Sequence, residues 1–416
     1  MRAPTAWPDV ERTPAGLRAR VAAVVADRLF RKAVRTLPIR VEYPDGTVLG
    51  RNPADRDAPR MILHRPADFA ARLGTGGLIG FGESYMAGDW SAPDPAATLT
   101  VFAASVETLV PAPLRTLRRL YVARHPVAER NSESNTRGNI ARHYDLSNTL
   151  FELFLDETLS YSSALFPATE PPPRWADLAA AQRAKIDRIL DRAKVGPGTR
   201  LLEIGTGWGE LALRAAERGA VVRSVTLSTE QRALALDRIT AAGRVDQVTI
   251  DLLDYRSVEG EFDAVVSVEM IEAVGYDYLD TFFQTIDRVL APDGRAVLQA
   301  ITMPHHRMLA TRHTYTWVQK YIFPGGFLPS TRLLRDVVAR STGLVVREEL
   351  SMGEHYAHTL RLWQQRFNSH ADQVAALGFD SLFRRMWQLY LAHAEAGFRC
   401  GYLDVHHILL TRAGAN

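Results

Sequence analysis

The stretch Leu201-Leu-Glu-Ile-Gly-Thr-Gly-Trp-Gly-Glu-Leu-Ala-Leu213 decides the fold. It opens as an apolar strand interrupted only by Glu203, passes through glycines at 205, 207 and 209, and continues as the helical run LALRAAERG. Glycine lets the backbone turn tightly and approach a ligand, and a helix N-terminus adds a favourable field there. A glycine-rich loop alone says little; strand–loop–helix context gives it meaning. A dinucleotide would want G-x-G-x-x-G and an acid at the end of the next strand. Here the spacing is G-x-G-x-G and the next strand ends in Thr226-Leu227-Ser228. Glu203, just before the loop, offers a carboxylate to an ammonium-bearing ligand, so S-adenosylmethionine fits better than a nicotinamide cofactor.

Outward from this loop, helix and strand alternate. A helix over 178–193 precedes it. Strand VVRSVTLS, helix TEQRALALDRITAAG, strands QVTIDLLD and FDAVVSVEM, helix YLDTFFQTIDRVL and strand GRAVLQAIT follow. Short β-rich runs alternating with amphipathic helices predict a doubly wound α/β sheet. LVVREEL and HHILLTR are candidates for a closing antiparallel pair. The small polar run 132–139 predicts a boundary, giving an N-terminal domain over 1–131 and a larger domain over 132–416.

The chain of 416 residues is 46% hydrophobic and 23% charged, enough for a full core and too long for one minimal domain. One cysteine excludes a disulfide framework or a cysteine-built zinc site, and no metal site is predicted. No apolar run reaches the roughly 18–20 residues of a membrane span, and the first residues lack a secretory apolar core, so a cytoplasmic protein is expected. The net charge is +3, yet the first 40 residues hold nine Arg or Lys against Asp9, Glu11 and Asp27. Within them Leu17, Val21, Val24, Val25, Leu29 and Val34 recur at helical spacing between basic residues. That pattern suits either an anionic membrane surface, with peripheral association, or ordinary packing on the protein's own domain.

Seven ordered blocks, GLIGFGESYMAGDW (77–90), RHYDLSNTLFELFLDETLSYSSALF (142–166), LLEIGTGWGELAL (201–213), VTLSTEQ (225–231), FDAVVSVEMIEAVG (262–275), YIFPGGFLPS (321–330) and HYAHTLRLWQQRF (355–367), resemble the cyclopropane-fatty-acyl-phospholipid synthase and mycolic acid methyltransferase family. The resemblance implies a class I methyltransferase, a Rossmann-like doubly wound sheet with lipid-pocket helical insertions and a smaller N-terminal α+β domain. It implies S-adenosylmethionine contacts at Tyr161, Ser162, Glu203, Gly205, Gly207, Trp208, Gly209, Thr226, Leu227, Ser228 and Gln231, with Leu253, Asp254 and Tyr255 beside the adenosine.

An alkene is a poor nucleophile, so the donor's sulfonium must drive methylation. The carbocation left on the chain then needs a dry site and a base. Phe323, Trp317 and Tyr315 are aromatic candidates for sheltering it. The family resemblance implies a bound bicarbonate as base, held here by Glu272, Tyr356, the Ile301 backbone, and Ser163 and Gln299 where a cysteine and a histidine are usual. Ala394 stands at another family cysteine, which argues against a covalent thiol route. The usual GMFEHVG reads EMIEAVG, placing Glu269 three residues before Glu272. On one helical turn the two carboxylates would face the same side, with Glu269 nearer the cofactor.

The expected product is a cyclopropane acyl chain in a phospholipid. The alternative is a 10-methylene chain formed by hydride shift, the precursor of tuberculostearic-type lipids, which implies a partner reductase. The family also implies a homodimer. Three further readings are a nucleic-acid methyltransferase, for which no base-reading motif is present, a lipid-transfer module on a dead methyltransferase domain, and a methyltransferase of soluble small molecules.

Overall fold

The glycine loop leads out of an interior strand of a seven-stranded sheet. The structure is a computed structural model that describes residues 7–105 and 147–414. Helix α1 (Leu17–Val34) is followed by strands β1 (Arg40–Glu42), β2 (Val48–Leu49) and β3 (Arg60–Leu63), helix α2 (Pro66–Ala87), strand β4 (Trp90–Ser91) and helix α3 (Pro95–Ala104). The four strands form a small sheet in the order β2-β1-β3-β4. The predicted boundary at 131/132 lies outside the described residues.

Helix α4 (Trp175–Arg192) then leads into β5 (Arg200–Ile204), α5 (Glu210–Glu217), β6 (Val221–Thr226), α6 (Thr229–Ala241) and β7 (Val248–Leu252). The second half runs β8 (Phe262–Val268), α7 (Leu279–Val289), β9 (Leu290–Thr302), α8 (Thr331–Ser341), β10 (Leu344–Ser351), α9 (Gly353–Ser369), α10 (Ser381–Arg399) and β11 (Asp404–Arg412). The large sheet has the order β10-β11-β9-β8-β5-β6-β7. Strands β5 to β9 are parallel, and β11 is antiparallel to both β9 and β10, as the two late apolar runs suggested. This is a class I Rossmann-like sheet. Its order reverses direction between β5 and β8, and ligands bind at the carboxyl ends beside such a switch point.

The block 77–90 is helical as far as Ala87, kinked at Gly77 (φ 56°), and ends in β4 at Trp90. Its Glu83 accepts hydrogen bonds from Lys320 Nζ (2.7 Å) and the Tyr321 hydroxyl (2.8 Å), tying it to the YIFPGG segment. Asp89 at the end of the block is buried against Arg65 and Arg72. Helix α10 packs on both α2 and α3, and one apolar core runs from Phe30 and Trp90 to Trp363 and Trp387.

Helix α1 does form, but the apolar stripe faces outward except at Val34. Ala19, Ala26, Phe30 and Val34 are buried, whereas Leu17 is 79% exposed, Val21 59%, Val24 54% and Val25 52%. Small residues explain the choice of face. A Cβ on Gly74 of α2 would stand 2.5 Å from the Ala22 carbonyl oxygen, so the helices meet backbone to backbone. Among the described residues no helix is long and apolar enough to cross a membrane.

Candidate active site

A cavity opens over the carboxyl ends of β5, β6 and β8. Of the residues expected around the cofactor, Tyr161, Ser162, Glu203, Gly205, Gly207, Trp208, Thr226, Leu227, Gln231, Leu253, Asp254, Tyr255 and Glu269 line it. Gly209 and Ser228 do not. Gly209 begins α5 with φ 89°, and a Cβ there would stand 3.1 Å from the Ala235 Cβ, so this glycine lets α5 lie against α6. Ser228 caps α6, its side chain accepting the Gln231 N–H at 3.2 Å. Both shape the site from behind.

The loop is braced from several directions. Trp208 Nε1 donates to Asn148 Oδ1 at 2.9 Å, using the end of the HYDLSN block, whose first four residues lie outside the described ones. Arg238 of α6 donates to the Trp208 carbonyl at 2.7 Å and to Glu210 at 2.7 Å. Glu203 is buried and accepts from Ser224 Oγ at 2.5 Å; burial pushes its carboxyl up to about 8. It is therefore a mainly neutral acid that ionises when a cation arrives beside it, which suits an ammonium-bearing ligand. Asp254 is already held by the Arg256 guanidinium. These residues, with the glycine loop at the strand end, fit S-adenosylmethionine.

Beside the cavity lies a second cluster, and Glu269 is its centre. This residue ends β8 with φ 48°, and a 3-10 turn over Ile271–Ala273 follows, so Glu269 and Glu272 do not share the regular helical turn expected of them. Glu269 Oε1 accepts the Ser163 N–H at 2.9 Å and Gln299 Nε2 at 2.7 Å; Oε2 accepts the Tyr356 hydroxyl at 2.7 Å. Burial raises its carboxyl above the usual range, while these three donors and the Lys185 ammonium pull it down. Glu272 accepts the Ile301 N–H and has an unpartnered buried Oε2; burial and the Glu269 charge push it up to about 8. The five residues mapped to a bicarbonate are thus gathered, but three of their donors already serve Glu269. The resulting set of contacts does not fit an added bicarbonate.

Three supporting residues went unread in the sequence. His407, opposite Gln299 across β11 and β9, bonds Gln299 Oε1 through Nε2 at 2.8 Å. Burial lowers its ring to about 3, so it is a neutral donor that aims the Gln299 amide nitrogen at Glu269. Lys185 is fully buried on the cavity wall and donates to Ser162 Oγ at 2.6 Å; burial lowers its ammonium to about 8. Tyr390 shares a 2.8 Å hydrogen bond with Tyr161, and Phe323 packs edge-on against it, ring centroids 5.7 Å apart. Trp317 instead packs on Tyr321 and Gly82, away from that aromatic group. Sequence spacing carried no signal for these, because each comes from a separate element. The Phe327 N–H bonds the Glu272 carbonyl at 2.9 Å, which gives the YIFPGG segment a direct hold on the site.

Residues 131–408 match the family model described as mycolic acid cyclopropane synthetase. The tuberculostearic acid methyltransferase UfaA1 of Mycobacterium tuberculosis is 54% identical over 410 residues, covering 98% of this chain and 96% of its own. The cyclopropane-fatty-acyl-phospholipid synthase of Escherichia coli K12 is 33% identical over 363 residues, 86% of this chain and 90% of its own. Among solved structures, mycolic acid cyclopropane synthase CmaA1 complexed with SAH and CTAB aligns with a TM-score of 0.60 at 31% identity, covering 66% of this chain and 98% of that one.

Proposed function

The chain belongs to the mycolic acid cyclopropane synthetase family of S-adenosylmethionine-dependent methyltransferases, and from that premise we propose that it methylates the double bond of an unsaturated phospholipid acyl chain to give a 10-methylene product. The sequence leads to a cyclopropane as the expected product and a 10-methylene chain as the alternative; similarity favours the alternative. The observation that carries the reading is the 54% identity, sustained over 98% of this chain, to a protein named for tuberculostearic acid, against 33% over 86% for the cyclopropane synthase.

Bound S-adenosylmethionine supplies an electrophilic methyl group, which the alkene's π pair takes as the carbon–sulfur bond breaks onto sulfur. Positive charge then sits on the neighbouring chain carbon. A hydride moves from the methylated carbon to that carbon, carrying the charge back, and loss of a proton from the new methyl leaves an exomethylene group. The ring of Tyr161, which lines the cavity and packs against Trp363 with centroids 5.3 Å apart, supports this chemistry by offering a positioned aromatic group beside the cation. The exomethylene lipid is then a substrate for a partner reductase supplying a hydride and a proton.

Access to acyl chains needs a bilayer. The exposed Leu17, Val21, Val24 and Val25 of α1, flanked by exposed Arg18, Arg28, Lys32 and Arg35, support peripheral docking on an anionic membrane. Incubation with donor and monounsaturated phospholipid vesicles tests the reading: mass analysis of the released acyl chains checks the methylation, and proton NMR separates the 10-methylene product from the cyclopropane of equal mass. A gain of one CH2 unit per chain is expected, and methylation confined to soluble acceptors would contradict it.

A further inference from the structure

A carboxylate offers about four lone-pair positions. Glu269 uses two on Oε1, for Ser163 and Gln299, and one on Oε2, for Tyr356, so one position on Oε2 stays open. The same side chain lines the cavity at the carboxyl ends of the strands, whose walls fit S-adenosylmethionine. We propose that Glu269 is the base that removes the proton from the methylated cation, and that this enzyme works without bicarbonate. The assignment deepens the proposed acyl methylation and rests on it.

The backbone argues for a purpose. A residue bearing a Cβ is uncommon at φ 48°, and such strain persists where the surroundings over-determine the position. Here they do. The Glu269 N–H donates to the Gln299 carbonyl at 2.8 Å while the Gln299 side chain donates to the Glu269 carboxylate, so one residue grips it at both ends. His407 fixes the orientation of that amide. Glu272 lacks this support: its carboxyl has one backbone donor and is absent from the cavity lining.

In the proposed step a C–H bond of the new methyl breaks, its electron pair becomes the exomethylene π bond, and the proton passes to Glu269 Oε2. Charge balances, since the carbocation and the carboxylate are both neutralised. No oxidant or co-reactant is needed.

Two measurements test this, one free of lipid. Titration of the donor-free protein with 13C-bicarbonate, followed by NMR, should show no saturable site in the wild type and one site in Glu269→Gly, whose glycine suits the positive φ and vacates the pocket. Saturable binding to the wild type would overturn the proposal. In carbon-dioxide-depleted buffer, wild-type turnover should be unchanged by added bicarbonate, whereas Glu269→Gly should fall about 100-fold or more and regain rate with bicarbonate or formate. A wild-type circular dichroism spectrum and a single cooperative melting transition for the variant control for folding. Wild-type turnover that depends on bicarbonate, or Glu269→Gly at the full rate without it, would refute the assignment. A wrong acyl substrate would remove turnover on phospholipid while leaving the bicarbonate titration as expected, so the two failures are distinguishable.

Discussion

The Tyr356 hydroxyl donates to Glu269 Oε2 at 2.7 Å, joining helix α9 to the end of strand β8 across 87 residues of sequence. Burial keeps the phenol well above its ordinary value, so it stays a donor. Its hydrogen bond is one of the contacts holding the Glu269 carboxyl down. Tyr356→Phe should therefore raise the Glu269 pKa, since loss of that donor disfavours the charged form. The acid limb of the kcat–pH profile should move to higher pH, with turnover at neutral pH reduced and partly recovered in alkali. A uniform loss with no shift of the limb would contradict this.

Glu272 gives a stability signature. Its folded value of about 8 lies above the ordinary 4.5, so the folded protein holds a proton that the unfolded chain has released between those two pH values. This contribution is complete below about pH 4.5 and is lost as pH rises to about 8, by at most about 1.4 kcal/mol per pH unit. Chemical denaturation of the wild type and Glu272→Gln across that window should show the wild type losing ground to the variant as pH rises. Parallel curves would show that Glu272 ionises normally.

Ser228 is a helix cap standing behind the cavity, not a wall of it. Ser228→Ala should cost about 1 kcal/mol, or a fall in Tm of roughly 2–4 °C, with S-adenosylmethionine affinity changed less than about threefold. Calorimetry of melting and of donor binding checks both. An unchanged Tm with a large loss of affinity would place Ser228 on the ligand instead.

Helix α1 makes the membrane claim testable by charge. Arg31 is spent on Asp27 at 2.8 Å and lies over the Tyr43 ring at 4.1 Å, so the exposed cations Arg18, Arg28, Lys32 and Arg35 are the ones to reverse. Their replacement by Glu should lower binding to anionic vesicles at least tenfold in sedimentation assays while leaving the melting curve close to wild type. Undiminished binding would rule out this face as the docking surface.

The sheet was legible because periodicity is local: alternating apolar runs and the loop 205–209 specify strand, turn and helix within a few residues. Much of the donor cavity followed, since the glycine loop, Thr226–Leu227 and Leu253–Tyr255 sit at strand ends, whereas Lys185 of α4 did not. The Glu269 cluster was legible only in part: the resemblance grouped Ser163, Gln299 and Tyr356, but not around Glu269. Ser163, Gln299, Tyr356 and Glu269 come from four separate places in the chain, and only the fold shows that Glu269 turns its carboxylate onto the other three. The sequence left the facing of α1 open between a membrane surface and the protein's own domain. Apolar spacing marked Leu17, Val21 and Val24 as one stripe, but the close approach of Ala22 to Gly74 selects the small-residue face for burial.

The central claim is the fate of the cation, and proton NMR of the acyl product tests it directly. With S-adenosylmethionine and a monounsaturated phospholipid, the purified protein should yield chains with vinylidene protons and no cyclopropane ring methylene. Ring-methylene signals in place of vinylidene protons would contradict the account.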